Sequence, residues 1–168
     1  QVPPDNQWVK RVKLQSKLLT EWWGHPTYLG ATVLLPKGWL ESSSVRYPAI
    51  YIQGHFGEGA PFGFNPDGQP EAAGARAARL KRTSREPGYE FAKEWMSDAF
   101  PRMVAISFQH PTPYYDDSYA VNSPNHGPYS DALLKELVPY LEEKFHLIPK
   151  GYARLLTGGS TGGWEALA

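Results

Sequence analysis

No cysteine occurs among the 168 residues. Disulfides therefore cannot staple the fold, and a thiol nucleophile or a zinc–thiolate site is excluded, while the redox compartment stays open. An excess of charge of either sign is lacking too: 17 Lys and Arg balance 17 Asp and Glu, and the sequence pI is near 7.2. That balance removes the electrostatic reason to expect nucleic acid or an anionic membrane surface as a partner. Nor does any apolar run approach the roughly 18 residues that a membrane span needs.

What is present suits one domain with a buried core. Hydrophobic residues make up 41% and aromatic residues 14%, and residues 1–168 read as a single domain. The one basic run, Arg76, Arg79, Lys81, Arg82 and Arg85, reads as a solvated helix face and loop rather than a phosphate site.

Along the chain, residues 13–20 and 28–35 are rich in Leu, Val, Thr and Tyr, with turn chemistry at Gly24, His25 and Pro26 between them. This predicts an antiparallel strand pair. Residues 47–53 and 103–108 are short, nearly continuous apolar runs, the pattern of strands buried on both faces of a parallel sheet. Between them come a loop dense in Gly, Pro and Phe (54–70), an Ala/Arg-rich segment (71–82) and a helical stretch near 89–100. Residues 109–128 form a long aromatic loop expected to lie over a cleft. Leu133, Leu137, Leu141 and Phe145 recur every fourth residue, with Lys135, Glu136, Glu142, Glu143 and Lys144 outward. They predict a helix, which Pro139 should kink. Residues 153–157 read as a last buried strand, and Gly163 as the start of a last helix. The alternation of β and α predicts an α/β fold: a mostly parallel sheet with an N-terminal antiparallel pair and helices on both faces.

The chemistry concentrates at one serine. Gly158-Gly159-Ser160-Thr161-Gly162 fits G-x-S-x-G, the nucleophile elbow, in which a serine occupies a strained strand-to-helix turn with its hydroxyl held clear of the sheet. Side chains two residues either side of that serine would collide as strand and helix close, so Gly158 and Gly162 are required, and Gly163 gives a further close approach. A P-loop would need Lys after its last glycine, but Trp164 and Glu165 follow Gly163. A dinucleotide fingerprint would need glycine where Ser160 stands. The bland alternative is a glycine-rich turn whose serine caps the helix.

Four stretches, "YPAIYIQGHFG", "RMVAISFQH", "NHGPYSDALLKELVPYLEEKF" and "GGSTGGWEAL", together resemble the putative esterase family of α/β-hydrolases. That family includes enterochelin, feruloyl and acetylxylan esterases, S-formylglutathione hydrolases and mycolyltransferases. The resemblance runs from about Tyr47 onward and implies an α/β-hydrolase fold and a serine carboxylic-ester hydrolase working through an acyl-enzyme, with no cofactor and no metal. It makes Ser160 the nucleophile and the Thr161 backbone N–H one oxyanion donor. His55 would give the second amide, from a loop that reads Gln53-Gly54-His55 where the family usually begins His-Gly.

Such hydrolases supply Ser, then Asp or Glu, then His in chain order, yet His25, His55, His110, His126 and His146 all precede Ser160. The chain is therefore read as the N-terminal part of the domain through the elbow. Acid and base are expected from the remainder of the same polypeptide or from a second chain, and residues 1–168 alone are expected not to turn over an ester. Asp116 and Asp117 read as turn or rim residues rather than the triad acid. Phe56, His110, Tyr115 and His126 are the candidate substrate-cleft residues. With Phe62, Phe64, Tyr114 and Tyr119 in the same loops, the expected substrate is a small or sugar-linked ester rather than a long lipid chain, although such rings equally serve as loop core. The competing reading is a non-catalytic hydrolase-like domain that binds a polysaccharide or peptide.

Overall fold

A computed structural model describes residues 5–55, 59–70, 74, 78, 87–114 and 116–168. The basic run and, apart from Gly74 and Ala78, the Ala/Arg-rich segment lie outside the described residues. The strands are β1 (Val9–Ser16), β2 (Thr27–Leu34), β3 (Ala49–Gln53), β4 (Val104–Gln109), the short β5 (Asn122–Ser123) and β6 (Gly127–Pro128), and β7 (Arg154–Gly158). Five of them form one sheet in the order β1-β2-β4-β3-β7, while β5 and β6 pair as a separate hairpin.

β1 and β4 both pair antiparallel with β2, whereas β3 pairs parallel with β4 and with β7. Only β2 is reversed, but because it lies between β1 and β4 the sheet is mixed by pairing rather than mostly parallel.

Period-two alternation decides which residues face which core. Ala49 and Tyr51 of β3, with Val104, Ile106 and Phe108 of β4, face a core closed by Leu133, Leu137 and Leu141. Ile50, Ile52 and Ala105 face the other way, onto Phe64, Ala92 and Trp95. Both faces are thus covered. β7 differs from the expected buried strand: it pairs with β3 alone among the described strands, and Leu155 and Leu156 are about half exposed.

Residues 17–20, expected as strand, belong to a helix, α1 (Lys17–Trp23), that sits between β1 and β2. Ser16 caps it by accepting from Leu19 N–H, and Gly24 closes it in the left-handed conformation at φ 71. The Glu136 carboxylate accepts from the Lys17 and Leu18 amides at 3.1 Å each, satisfying two of the free donors at the helix start.

α2 (Gly88–Trp95) is shorter than the expected stretch and is held by Trp95 Nε1 donating to the Leu35 carbonyl at 2.9 Å. The long helix runs as α3 (Tyr129–Ala132), a π-helical stretch Leu133–Leu137, and α4 (Val138–Lys144). Val138 N–H donates to the Leu133 carbonyl, five residues back. That wider turn leaves Pro139, which has no N–H, in the first turn of α4, where a donor is dispensable. The last helix, α5 (Thr161–Glu165), starts two residues before Gly163.

Candidate active site

The register of β3 against β7 pairs Gln53 with Gly158, so the loop after β3 and the turn after β7 leave the sheet side by side. Ser160 stands in that turn at φ 56 and ψ −122, a conformation that L-residues avoid. α5 follows at once: Gly163 N–H donates to the Ser160 carbonyl at 3.0 Å. The Ser160 side chain makes no capping hydrogen bond, which removes the helix-cap reading of this serine.

Two glycines make the turn sterically feasible. A Cβ on Gly158 would run into the Gly162 carbonyl, and a Cβ on Gly162 would run into the Gln53 carbonyl at the end of β3. The turn is therefore packed backbone-to-backbone on both its own helix and the loop after β3. Gly163 does not share this constraint, because its Cβ would sit 3.4 Å from the Gly158 carbonyl oxygen, an ordinary contact.

A buried polar knot lies beside the turn. His55 Nδ1 is 2.7 Å from Asp117 Oδ2, with His55 mostly exposed and Asp117 buried. Asp117 Oδ1 accepts from Tyr119 N–H at 2.9 Å. His110 Nδ1 lies 2.8 Å from Ser118 Oγ and 3.5 Å from Asp117 Oδ1. Burial pushes the His110 pKa down, against the pull of Asp117, so its imidazole is neutral at neutral pH. Glu165 of α5 is buried, and neither of its carboxylate oxygens makes a well-aligned hydrogen bond among the described residues, although the Gly54 amide is close enough to stabilise the carboxylate. Burial first and Asp117 second push its pKa up, while the Gly54 amide and His55 oppose them.

The expected cleft residues separate. His110 is fully buried and part of this knot, so it cannot line a cleft. His126 belongs to the β5–β6 hairpin, where neighbouring Gly127 packs against the Trp22 ring of α1, away from β7. Phe56 and Tyr115 lie outside the described residues. Phe64 is core, Phe62 packs at a tilt against Phe91, and Tyr114 packs edge-on to Trp23. Tyr119 alone among the described rings of this set approaches the serine turn: it meets Trp164 edge-on at 6.4 Å and, with Val121 and Thr161, lines an open cleft of about 390 Å³. Asp117, read as a turn or rim residue, is buried in an isolated antiparallel bridge with Pro111 and lies 2.7 Å from His55. Neither that contact nor the burial of Glu165 has a local sequence signal. Among the described residues no group of three or more His, Asp or Glu side chains is arranged to hold a metal ion.

The family model described as "Putative esterase" matches residues 26–168. The chain belongs to the putative esterase family. The match takes in every residue of the site, from Gln53 to Glu165, and leaves β1 and α1 before it. Among curated proteins nothing matches. Among solved structures, a ferulic acid esterase is 22% identical with a TM-score of 0.57, over 96% of this chain and 54% of its own. The ferulic acid esterase of Anaeromyces mucronatus, solved in complex with ferulic acid, is 18% identical with a TM-score of 0.46, over 92% of this chain and 49% of its own. This member of the esterase family thus spans about half the length of those structures. The first likeness shows a shared α/β fold.

Proposed function

We propose that this chain supplies the nucleophile and the oxyanion hole of a serine carboxylic-ester hydrolase. The observation that carries the proposal is the conformation of Ser160 between β7 and α5, with an uncapped hydroxyl and no room for a side chain at Gly158 or Gly162. A serine held in such a strained turn is the hallmark of the nucleophile elbow, and the strain persists because its surroundings over-determine it.

In this reading Ser160 Oγ attacks the carbonyl carbon of the ester. The tetrahedral intermediate places its negative charge between the backbone amides of Thr161 and His55. The intermediate collapses with loss of the alcohol, and water then attacks the acyl-enzyme to release the acid. Losing one oxyanion donor costs about 10²–10³ in kcat, so the two amides are a main source of rate.

Ser160 Oγ makes no hydrogen bond to a histidine among the described residues, and an unassisted serine hydroxyl is a weak nucleophile. The base and its orienting acid are therefore proposed to come from further polypeptide of the same protein or from a second chain, and residues 1–168 alone to be inactive. For the substrate, the Tyr119–Trp164 cleft beside Thr161 favours a flat or sugar-linked ester over a long lipid chain.

The test is hydrolysis of p-nitrophenyl acetate by the intact protein and its Ser160→Ala variant. Loss of all but background turnover is expected. Full activity in Ser160→Ala would overturn the proposal and favour a non-catalytic domain that binds polysaccharide or peptide.

A further inference from the structure

Gly54 and His55, which follow β3, have little of their own to hold them. Gly54 adopts φ 153 with open space where a side chain would be, and His55 is mostly exposed. A backbone amide on such a loop stabilises a developing oxyanion only if it is already aimed before reaction, because reorganisation at that moment forfeits the gain. Something outside the loop has to fix it.

The loop after β4 has the opposite character. Pro111 and Asp117 form an isolated antiparallel bridge, Thr112 N–H donates to the Asp116 carbonyl at 2.8 Å, and the Tyr129 hydroxyl donates to the Pro111 carbonyl at 3.0 Å. Thr112, Asp117 and Ser118 are all buried. Tyr119 and Ala120 follow at φ 53 and 54. Left-handed non-glycine residues of this kind cost of order 1 kcal/mol each and persist where surrounding bonds over-determine them. Asp117 is thus a rigid anchor whose Oδ1 is committed to the Tyr119 amide and whose buried Oδ2, which completes no well-aligned hydrogen bond among the described residues, lies 2.7 Å from His55 Nδ1 in a close polar contact.

We propose that Asp117 is a positioning residue: through the 2.7 Å contact of its Oδ2 with His55 Nδ1 it holds the loop after β3 so that the His55 amide faces Ser160. The inference rests on the serine-esterase reading above. His110, which follows β4, lies 3.5 Å from Asp117 Oδ1, and the buried carboxyl of Glu165 on α5 is near enough to feel the charges of Asp117 and His55, so the titratable groups facing the tether are His110 and Glu165. The loops that follow β3 and β4 are thereby joined by two side chains that do not touch the reacting atoms.

A side-chain tether makes a distinctive prediction, because the amide of residue 55 survives any replacement except proline. His55→Ala keeps the donor and loses the tether, as does Asp117→Asn from the other side. In the intact protein each variant is expected to lower kcat on p-nitrophenyl acetate by about 10- to 100-fold, short of the ~10²–10³ of a lost donor, with KM within about threefold. The double variant should be no slower than the slower single, since both remove one interaction. Labelling of Ser160 by a fluorophosphonate, run in parallel, separates the two claims. If the wild type is not labelled at Ser160, the esterase reading falls and this inference with it. If it is labelled and His55→Ala keeps wild-type kcat, or the two losses multiply, the tether alone is overturned. Exposed His55 can be replaced without disturbing the core, so the His55→Ala result decides even if Asp117→Asn does not fold.

Discussion

Gly158 and Gly162 approach so closely that the carbonyl of one occupies the place where the side chain of the other would begin. Backbone cannot move aside as a flexible side chain can. Gly158→Ala and Gly162→Ala should therefore each destabilise the protein by about 1–3 kcal/mol or more. Gly163→Ala, inside α5 with its nearest contact at 3.4 Å, should be neutral or stabilising by up to about 1 kcal/mol. Urea unfolding of the three variants checks the contrast, and equal losses at all three positions would contradict it.

Ser160 carries the other half of the strain. At φ 56 and ψ −122 glycine is at ease where serine is not. Relief of about 1–3 kcal/mol, offset by the greater entropy of glycine in the unfolded chain, about 0.5–1 kcal/mol, leaves a net gain of about 1 kcal/mol. Ser160→Gly should raise the thermal midpoint while abolishing esterolysis. A lowered midpoint would mean that Ser160 is not strained.

Glu165 gives the site a pH dependence. Its pKa is raised by burial and then by Asp117, against the Gly54 amide and His55. The native state therefore holds that proton more tightly than the unfolded chain, and stability is lost as pH rises above the ordinary carboxyl value of 4.5. Glu165→Gln removes that loss, so it should gain on the wild type as pH is raised from 4.5 toward neutrality and match it below. His110 acts in the opposite sense: its pKa is depressed by burial, so the unfolded chain takes up the proton first and stability drains as pH falls below about 6.5. Thermal midpoints of wild type and Glu165→Gln across this range check both slopes. A constant offset between the two proteins would contradict the Glu165 assignment.

Several of these features are legible in sequence and others are not, for reasons of range. The apolar runs that become β3 and β4 announce themselves because burial on both faces leaves no polar alternation. Glycines two residues either side of a serine signal a steric need that is local to five residues. α1 is another matter: its Ser16 cap is local, but the carboxylate that satisfies Lys17 and Leu18 comes from Glu136, 120 residues beyond Ser16. Pro139 announces a break in the helix, yet the π turn that absorbs it depends on the packing of Leu133 and Leu137. Asp116-Asp117 looks like turn chemistry, and only the folded sheet brings one of the pair under His55. The loop aromatics were indistinguishable by type, and packing divided them, with Phe64 in the core and Tyr119 beside the serine turn.

The measurement that tests the central claim most directly is peptide mass mapping of the intact protein after reaction with a fluorophosphonate, which traps an activated serine as a stable ester. The account predicts a single adduct on Ser160, absent from Ser160→Ala, with ester turnover lost in proportion to labelling. An adduct on a different residue, or ester turnover that survives complete modification of Ser160, would contradict it.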